Sequence, residues 1–324
     1  MPPATPVNRP MTSFEWALLL VLALLWGGSF ALNGLAVREL PTFTVVVVRV
    51  VIAALILLAA VKLSGGQLQR MREFWPMFLT MGLLNNAIPF SLVVWGQSQI
   101  ASGLAAIIIA TTPLFTVVVA NSFTDDEKLT PERLVGVLLG IIGVAVMVGA
   151  SALRSLDVDV LAQVACLGGA LSYAVAGVYG RRFHVRGITP LEGAAGQITA
   201  ASIVLLPIML IVDRPWSLPM PSAGTIAALI AVAALSTALA YILYYKLLAT
   251  AGATNLVLVT FLIPVTAILL GIVLLDETLQ LKHVAGMLLI GCGLAAIDGR
   301  PWRKLAAMFA RTPEKTLGRD AGND

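Results

Sequence analysis

Ten runs of apolar residues follow one another along the chain, near 14–36, 42–62, 74–96, 99–122, 132–150, 159–180, 190–212, 222–246, 253–275 and 281–298, with short connections between them. The hydrocarbon core of a bilayer is about 30 Å thick and an α-helix rises about 1.5 Å per residue, so one crossing takes about 20 apolar residues. Each run is close to that length. Inside lipid the backbone must satisfy its own polar groups, and continuous apolar runs of this length do so as helices. Of the 324 residues, 59% are hydrophobic and 12% are charged, about half the charged fraction of a soluble domain. A soluble fold is excluded. The expected class is an all-α integral membrane protein with ten transmembrane helices.

Lys and Arg orient the spans, because they concentrate in segments that stay cytoplasmic. With the N-terminus inside, the inner segments hold sixteen, among them Arg70, Arg72, Arg181, Arg182 and Arg186. The outer segments hold four, namely Arg38, Arg154, Arg214 and Lys282. That asymmetry places both termini of a multi-pass membrane protein in the cytoplasm. The stretch "MPPATPVNRPMTSFEW" has no basic cluster ahead of a short apolar core, so the first span is expected to be retained. At the other end, "RPWRKLAAMFARTPEK" puts Trp302, Leu305, Met308 and Phe309 at helical spacing beside Arg303, Lys304 and Arg311. It reads either as an interfacial helix on membrane lipid or as a tail attracted to lipid by charge alone.

The chain also repeats itself. "ATTPLFTVVVANSFTDDEKLTPERLVGVLLGIIG" lies over "TFLIPVTAILLGIVLLDETLQLKHVAGMLLIGCG" with Pro113 on Pro264 and, after a one-residue gap, Glu127 on Glu277, Gly136 on Gly286 and Gly143 on Gly293. Upstream in the same register, Phe90 falls on Tyr241, and Pro41 pairs more loosely with Pro190. The expected organisation is a tail at 1–13, a first five-helix repeat at 14–150, a second at 151–298 and a cytoplasmic segment at 299–324. Five is odd, so the second repeat enters the membrane from the opposite side and the two are inverted, as in many secondary transporters.

The set formed by "WGGSF" in span 1, an Arg in span 2, a mid-helix Pro in spans 4 and 9, and an acidic residue, Leu and a Gly-rich final span in each half resembles the EamA-type branch of the drug/metabolite transporter superfamily. The resemblance covers the chain up to about residue 298 and implies ten helices in two inverted five-helix repeats around a central cavity, exporting small metabolites. Within that branch the chain is most similar to the YddG-type bacterial exporters of aromatic and other amino acids.

The polar residues inside the spans are the candidate site. All seventeen carboxylates lie in loops, tails or span ends, and neither His184 nor His283 is deep in a span. A proton relay normally shows an acid or His at membrane depth, so transport down the substrate gradient, or exchange, is expected. Arg49 is the one full charge deep in a span, roughly 12 Å along its helix from Pro41. It reads either as a cavity group attracting a substrate carboxylate or as a tether to neighbouring carbonyls. Asn85, Asn86, Thr111, Thr112, Ser236, Thr237 and Thr260 share the depth of the two prolines. Each alone could be interhelical glue of about 0.6 kcal/mol; together they read as a polar lining. Trp26, Trp95, Tyr173, Tyr241 and Tyr244 supply aromatic faces, whereas Trp16, Trp75, Tyr179 and Tyr245 fit interfacial belts. Aromatic faces with neutral amides suit a zwitterionic or neutral small molecule and suit a dianion badly.

Pro113 and Pro264 are expected hinges, since a proline removes the amide that would bond residue i−4; the carbonyls released are those of Ile109 and Thr260. Gly136, Gly140, Gly143, Gly286, Gly291 and Gly293 read as close helix packing within a monomer rather than a dimer contact. Cys166 and Cys292 lack metal or redox spacing and read as small core residues. No metal, cofactor or nucleic-acid partner is expected. An enzyme is disfavoured because H-E-x-x-H, G-x-S-x-G and membrane-depth acids are absent, and an ATP-driven pump because no Lys follows a Gly. The remaining alternatives are an exporter of cationic drugs or other metabolites, and a small-solute channel.

Overall fold

A computed structural model of the chain describes residues 11–66, 70–123, 130–148, 158–256 and 258–298. The expected C-terminal segment at 299–324, most of the N-terminal tail and Glu127 lie outside the described residues. Those described are helical, with no strand among them. The helices are α1 (Ser13–Ala36), α2 (Thr42–Leu63), α3 (Trp75–Gly82), α4 (Ile88–Gln97), α5 (Ser102–Ile109), α6 (Thr112–Phe123) and α7 (Pro131–Val148). The second half gives α8 (Val158–Val185), α9 (Pro190–Val212), α10 (Ala223–Ala233), α11 (Ala240–Ala251), α12 (Ala253–Leu256), α13 (Val259–Leu275) and α14 (Leu281–Asp298).

Seven helical segments are long and apolar enough to cross a membrane: Ser13–Ala36, Thr42–Leu63, Arg72–Gln97, Ser102–Phe123, Val158–Phe183, Pro190–Val212 and Ala223–Leu248. Three shorter apolar stretches, Leu134–Val146, Leu262–Leu275 and Leu281–Ala296, occupy the places of the other three expected spans.

Local chemistry starts two of these helices. Thr12 accepts from the Glu15 amide at 3.3 Å while the Glu15 carboxylate accepts from the Thr12 amide at 2.8 Å. Thr189 and Glu192 repeat this reciprocal cap at 3.3 and 3.0 Å, with Pro190 in the first turn where no amide is needed. The two acids nearest membrane depth are therefore helix caps.

The backbone departs from α-helix at places related by the sequence repeat. Span 3 carries a π-helical turn at Leu83–Ala87 and span 8 carries one at Ala234–Leu239. The causes differ. In span 3, Pro89 has no amide to give the Asn85 carbonyl, so the ladder widens ahead of it. In span 8 the Thr237 hydroxyl enters the ladder and donates to the Val232 carbonyl at 2.9 Å. Pro113 follows a break at Ala110–Thr111 between α5 and α6, whereas Pro264 lies inside the continuous α13.

Packing crosses between the halves throughout: α1 on α13 and α10, α2 on α9, α4 and α6 on α8, α5 on α13, and α7 on α14. Thus α1 packs on α10 and α13, as α8 packs on α4 and α6. At Gly27 there is room for the Thr266 hydroxyl, which donates across to the Ala23 carbonyl at 2.9 Å. Between α7 and α14 the backbones touch, since a Cβ on Gly143 would come 2.9 Å from the Gly286 carbonyl oxygen and one on Gly293 2.5 Å from that of Gly136. Replacing Gly293 with Leu should separate these helices at an overpacking cost of about 1–3 kcal/mol. The expected readout is an apparent melting temperature in detergent lower by a few degrees; an unchanged value would refute the contact. One expectation is corrected here. Cys166 is buried, but Cys292 is exposed, because its side of α14 faces away from α7 and the other helices.

Candidate substrate cavity

A cavity of about 620 Å³ runs between the two halves, a size suited to a small organic molecule. Arg49 of α2 is 6% exposed. Its Nε donates to the Thr237 hydroxyl at 2.8 Å, and its guanidinium carbon lies 4.0 Å from the centre of the Phe90 ring. The π-helical turn of span 8 brings Thr237 to this position, so backbone irregularity and charge placement are linked. Arg49 is consequently both tethered and on the cavity wall, and the two sequence readings of it are compatible.

An amide network adjoins it. Asn85 Nδ2 donates to Gln197 Oε1 at 3.2 Å and to the Tyr241 hydroxyl at 3.1 Å, and Asn86 Nδ2 donates to the same hydroxyl at 3.2 Å. Three helices are thereby pinned at one depth. Aromatic rings line a second side: Trp26 and Tyr244 lie 5.5 Å apart, Tyr244 and Tyr245 meet edge to face at 5.1 Å, and Tyr241 stacks on Tyr245 at 6.2 Å.

Of the residues expected from sequence, Trp26, Arg49, Asn85, Thr112, Tyr173, Tyr241, Tyr244 and Ser236 line the cavity. Asn86 (0% exposed) and Thr111 (1% exposed) sit behind it. Thr111 donates to the Ile108 carbonyl at 2.6 Å. Thr260, Pro113 and Pro264 are also off the wall, although Ile109 and Ile263 beside the prolines are on it. Thr112 donates to the Ile109 carbonyl at 2.7 Å, which is the group Pro113 leaves without an amide. Two aromatic assignments change. Tyr245 lines the cavity instead of an interfacial belt, and Trp95 lies away from it with 37% of its surface exposed.

Ser29, Asn33 and Gln197 also line the cavity and were not anticipated. An amide inside an apolar run, as in "ALNGLA" and "GAAGQITA", is the signal that marks the last two. Ser29 and Asn33 are four residues apart and so share one face of α1.

The cavity extends to the end of the bundle where α8 turns into α9, since Gly180, Phe183, Ile188 and Leu248 line it there. The opposite end is clasped, and each clasp joins the first half of the chain to the second. Glu277 accepts from the Ser102 and Gly103 amides at 2.6 and 3.0 Å, at the start of α5. Asp213 accepts from the Thr44 amide and hydroxyl at 2.6 and 2.9 Å, in the first turn of α2. Glu39 accepts from the Ser222 amide and hydroxyl, both at 2.6 Å, at the cap of α10. Arg38 donates to the Leu275 carbonyl at 3.1 Å. Negative charge at a helix N-terminus meets unpaired amides and the positive end of the dipole. The Ser222 hydroxyl and amide hold the Glu39 carboxyl below its ordinary range. Gly271 leaves the space that the Glu277 carboxylate occupies.

The model of the EamA-like transporter family matches residues 14–149 and again 160–297. The chain belongs to the EamA-like transporter family. Its relatives in that family include the uncharacterized transporter YvbV of Bacillus subtilis, 28% identical over 90% of this chain and 93% of that protein. A probable amino-acid metabolite efflux pump of Escherichia coli is 25% identical over 91% and 98% of the two chains, and the uncharacterized inner membrane transporter YedA of the same species is 28% identical over 81% and 83%. One solved crystal structure, 20% identical, superposes over 89% of this chain and 98% of its own with a TM-score of 0.63, which supports the same fold. This EamA-family chain is therefore a membrane transporter.

Proposed function

We propose that the chain is an inner-membrane secondary transporter that exports amino acids, aromatic and other neutral ones, or similar small zwitterions from the cytoplasm. The observation that carries this is a single buried cation, Arg49, on a cavity wall that has aromatic and neutral amide groups but no Asp or Glu among its described residues. Such a wall offers a carboxylate a partner and leaves the apolar rings for a side chain. A cationic drug would meet the Arg49 charge with nothing opposite to offset it, which disfavours the drug-export alternative. The Escherichia coli relative, a probable amino-acid metabolite efflux pump, agrees with this cargo.

In this reading the repeats at 14–150 and 151–298 are two inverted five-span halves that rock around the site, with Pro113, Pro264 and the two π-helical turns as bending points. Both termini are cytoplasmic, and the protein works as a monomer. The mouth beside Arg181, Arg182 and Arg186 is then the cytoplasmic one, and the clasped end faces outside. A cavity open at one end and held shut at the other fits a carrier better than a pore. With no acid or His among the described residues of the cavity wall, transport runs down the substrate gradient or by exchange.

The test is a panel of radiolabelled amino acids in liposomes containing the purified protein. Saturable flux, accelerated by unlabelled substrate on the far side, is the expected outcome. Flux linear in concentration would establish a channel, the absence of amino-acid flux would move the cargo to other metabolites, and uptake driven by a proton gradient alone would overturn the uncoupled mechanism.

A further inference from the structure

On α1 and α6 the hydrogens of the cavity's polar side chains are committed to protein partners, and that commitment gives the site a direction. Ser29 donates its hydroxyl hydrogen to the Trp26 carbonyl at 2.6 Å, and Thr112 donates its own to the Ile109 carbonyl at 2.7 Å. Each hydroxyl has only lone pairs left for a ligand. Asn33 is 2% exposed; its amide nitrogen donates to Gln97 Oε1 at 3.4 Å, and Gln97 is itself held by the Phe30 carbonyl at 2.7 Å. Asn33 Oδ1 has no hydrogen-bond partner. A buried carbonyl oxygen without a donor is rare in a folded protein. Ser29, Asn33 and Thr112 all line the cavity, so α1 and α6 place acceptors in its wall, with the Asn33 oxygen buried just within it.

Other helices that line the cavity present donors. Arg49 has committed Nε to Thr237, whose own hydrogen goes to the Val232 carbonyl, and its two terminal nitrogens make no hydrogen bond within the described residues. The Tyr241 hydroxyl accepts hydrogens from both Asn85 and Asn86. With both lone pairs occupied, it has its proton to give.

We infer that the cavity binds its substrate in one orientation, with a carboxylate on Arg49 and Tyr241 and a protonated amine on Ser29, Asn33 and Thr112. This rests on the reading of the chain as an amino-acid exporter and narrows it to molecules carrying both groups. A des-amino carboxylate leaves three acceptors unpaired, and sites built around a hydrogen-bonding group reject analogues that lack it by large factors. An amine without a carboxylate leaves Arg49 uncompensated.

The test is calorimetric binding of three probes to the purified full chain in detergent: phenylalanine, 3-phenylpropionate, which lacks the amine, and phenethylamine, which lacks the carboxylate. Wild type should bind phenylalanine at least about tenfold tighter than either analogue. Ser29→Ala and Asn33→Leu should each weaken phenylalanine about tenfold and leave 3-phenylpropionate within about twofold. Arg49→Gln should weaken phenylalanine and 3-phenylpropionate together and spare phenethylamine. Retained 3-phenylpropionate binding reports that a variant is folded, and Thr112→Val provides a second variant on the amine side. If the Ser29, Asn33 and Thr112 variants weaken all probes by one factor, or none, the orientation is wrong while the export reading stands. If wild type binds neither phenylalanine nor any other amino acid, both are overturned.

Discussion

Arg49→Gln should abolish useful transport while leaving the protein folded. In wild type the guanidinium is tethered through one nitrogen to Thr237 and packed on Phe90, and its remaining donors are available to the cavity. Losing one partner of a desolvated, hydrogen-bonded charge pair costs about 2–5 kcal/mol, which corresponds to about 30-fold to several-thousand-fold in substrate affinity. Stability should change far less, because a buried cation with no carboxylate beside it is costly to fold. Removing that cost offsets the Thr237 hydrogen bond of about 1.5–3 kcal/mol. Arg49→Lys should not restore affinity, since an ammonium cannot occupy the tether and present a planar fork at once. Transport kinetics in proteoliposomes alongside a detergent melting curve measure both quantities. A variant that melts normally and transports normally would reduce Arg49 to a tether.

The second expected result concerns the clasped end. The double variant Glu277→Ala, Asp213→Ala should open it. Each carboxylate accepts two hydrogens at the N-terminus of a helix from the other half of the chain. Hydrogen bonds to a charged group contribute about 1.5–3 kcal/mol where water is excluded, and these half-exposed carboxylates contribute less because solvent screens them. A combined shift of about 2 kcal/mol changes the ratio of the two access states about 30-fold. The readout is a cysteine at Tyr173, in a background with Cys166 and Cys292 replaced by Ala, labelled by a membrane-impermeant thiol reagent applied from the clasped side. Labelling should rise by at least about tenfold in the double variant. Equal labelling with and without the clasps would show that they only cap helices and do not set access.

These two predictions differ in how far the sequence could have led to them. Arg49 stands out in any reading, because an ionised group deep in an apolar run demands a partner. Asn85, Thr112, Trp26, Tyr173 and Tyr241 were legible for a similar reason, as polar or amphipathic groups at a depth where lipid offers nothing to bond. The reciprocal caps at Thr12–Glu15 and Thr189–Glu192 were legible too, through the S/T-x-x-E spacing ahead of an apolar run. Asn86 and Thr111 look identical to their neighbours in sequence yet sit behind the wall, since a helix turns about 100° per residue and adjacent side chains face different partners. Thr260 shares their depth but lies off the wall, and the sequence does not record which face of α13 meets α1. Depth from the span ends assigns Tyr245 to an interfacial belt, but the cavity reaches the mouth of the bundle and takes the ring into its wall.

The clasps were not legible at all. Glu277 and Ser102 are separated by most of the chain, and nothing in "LDETL" or "QIASGL" announces the other. By itself, the sequence determined what local physics and repetition can determine: helices, because lipid leaves the backbone no other way to satisfy itself, and two related halves, because the register recurs. The tertiary structure alone decided which residue of each apolar helix faces a neighbour, a cavity or lipid. In a span that is hydrophobic all round, no amphipathic stripe records that choice; it is made by how closely the helices pack, at Gly27, Gly143 and Gly293, and by which carboxylates reach across to the other half.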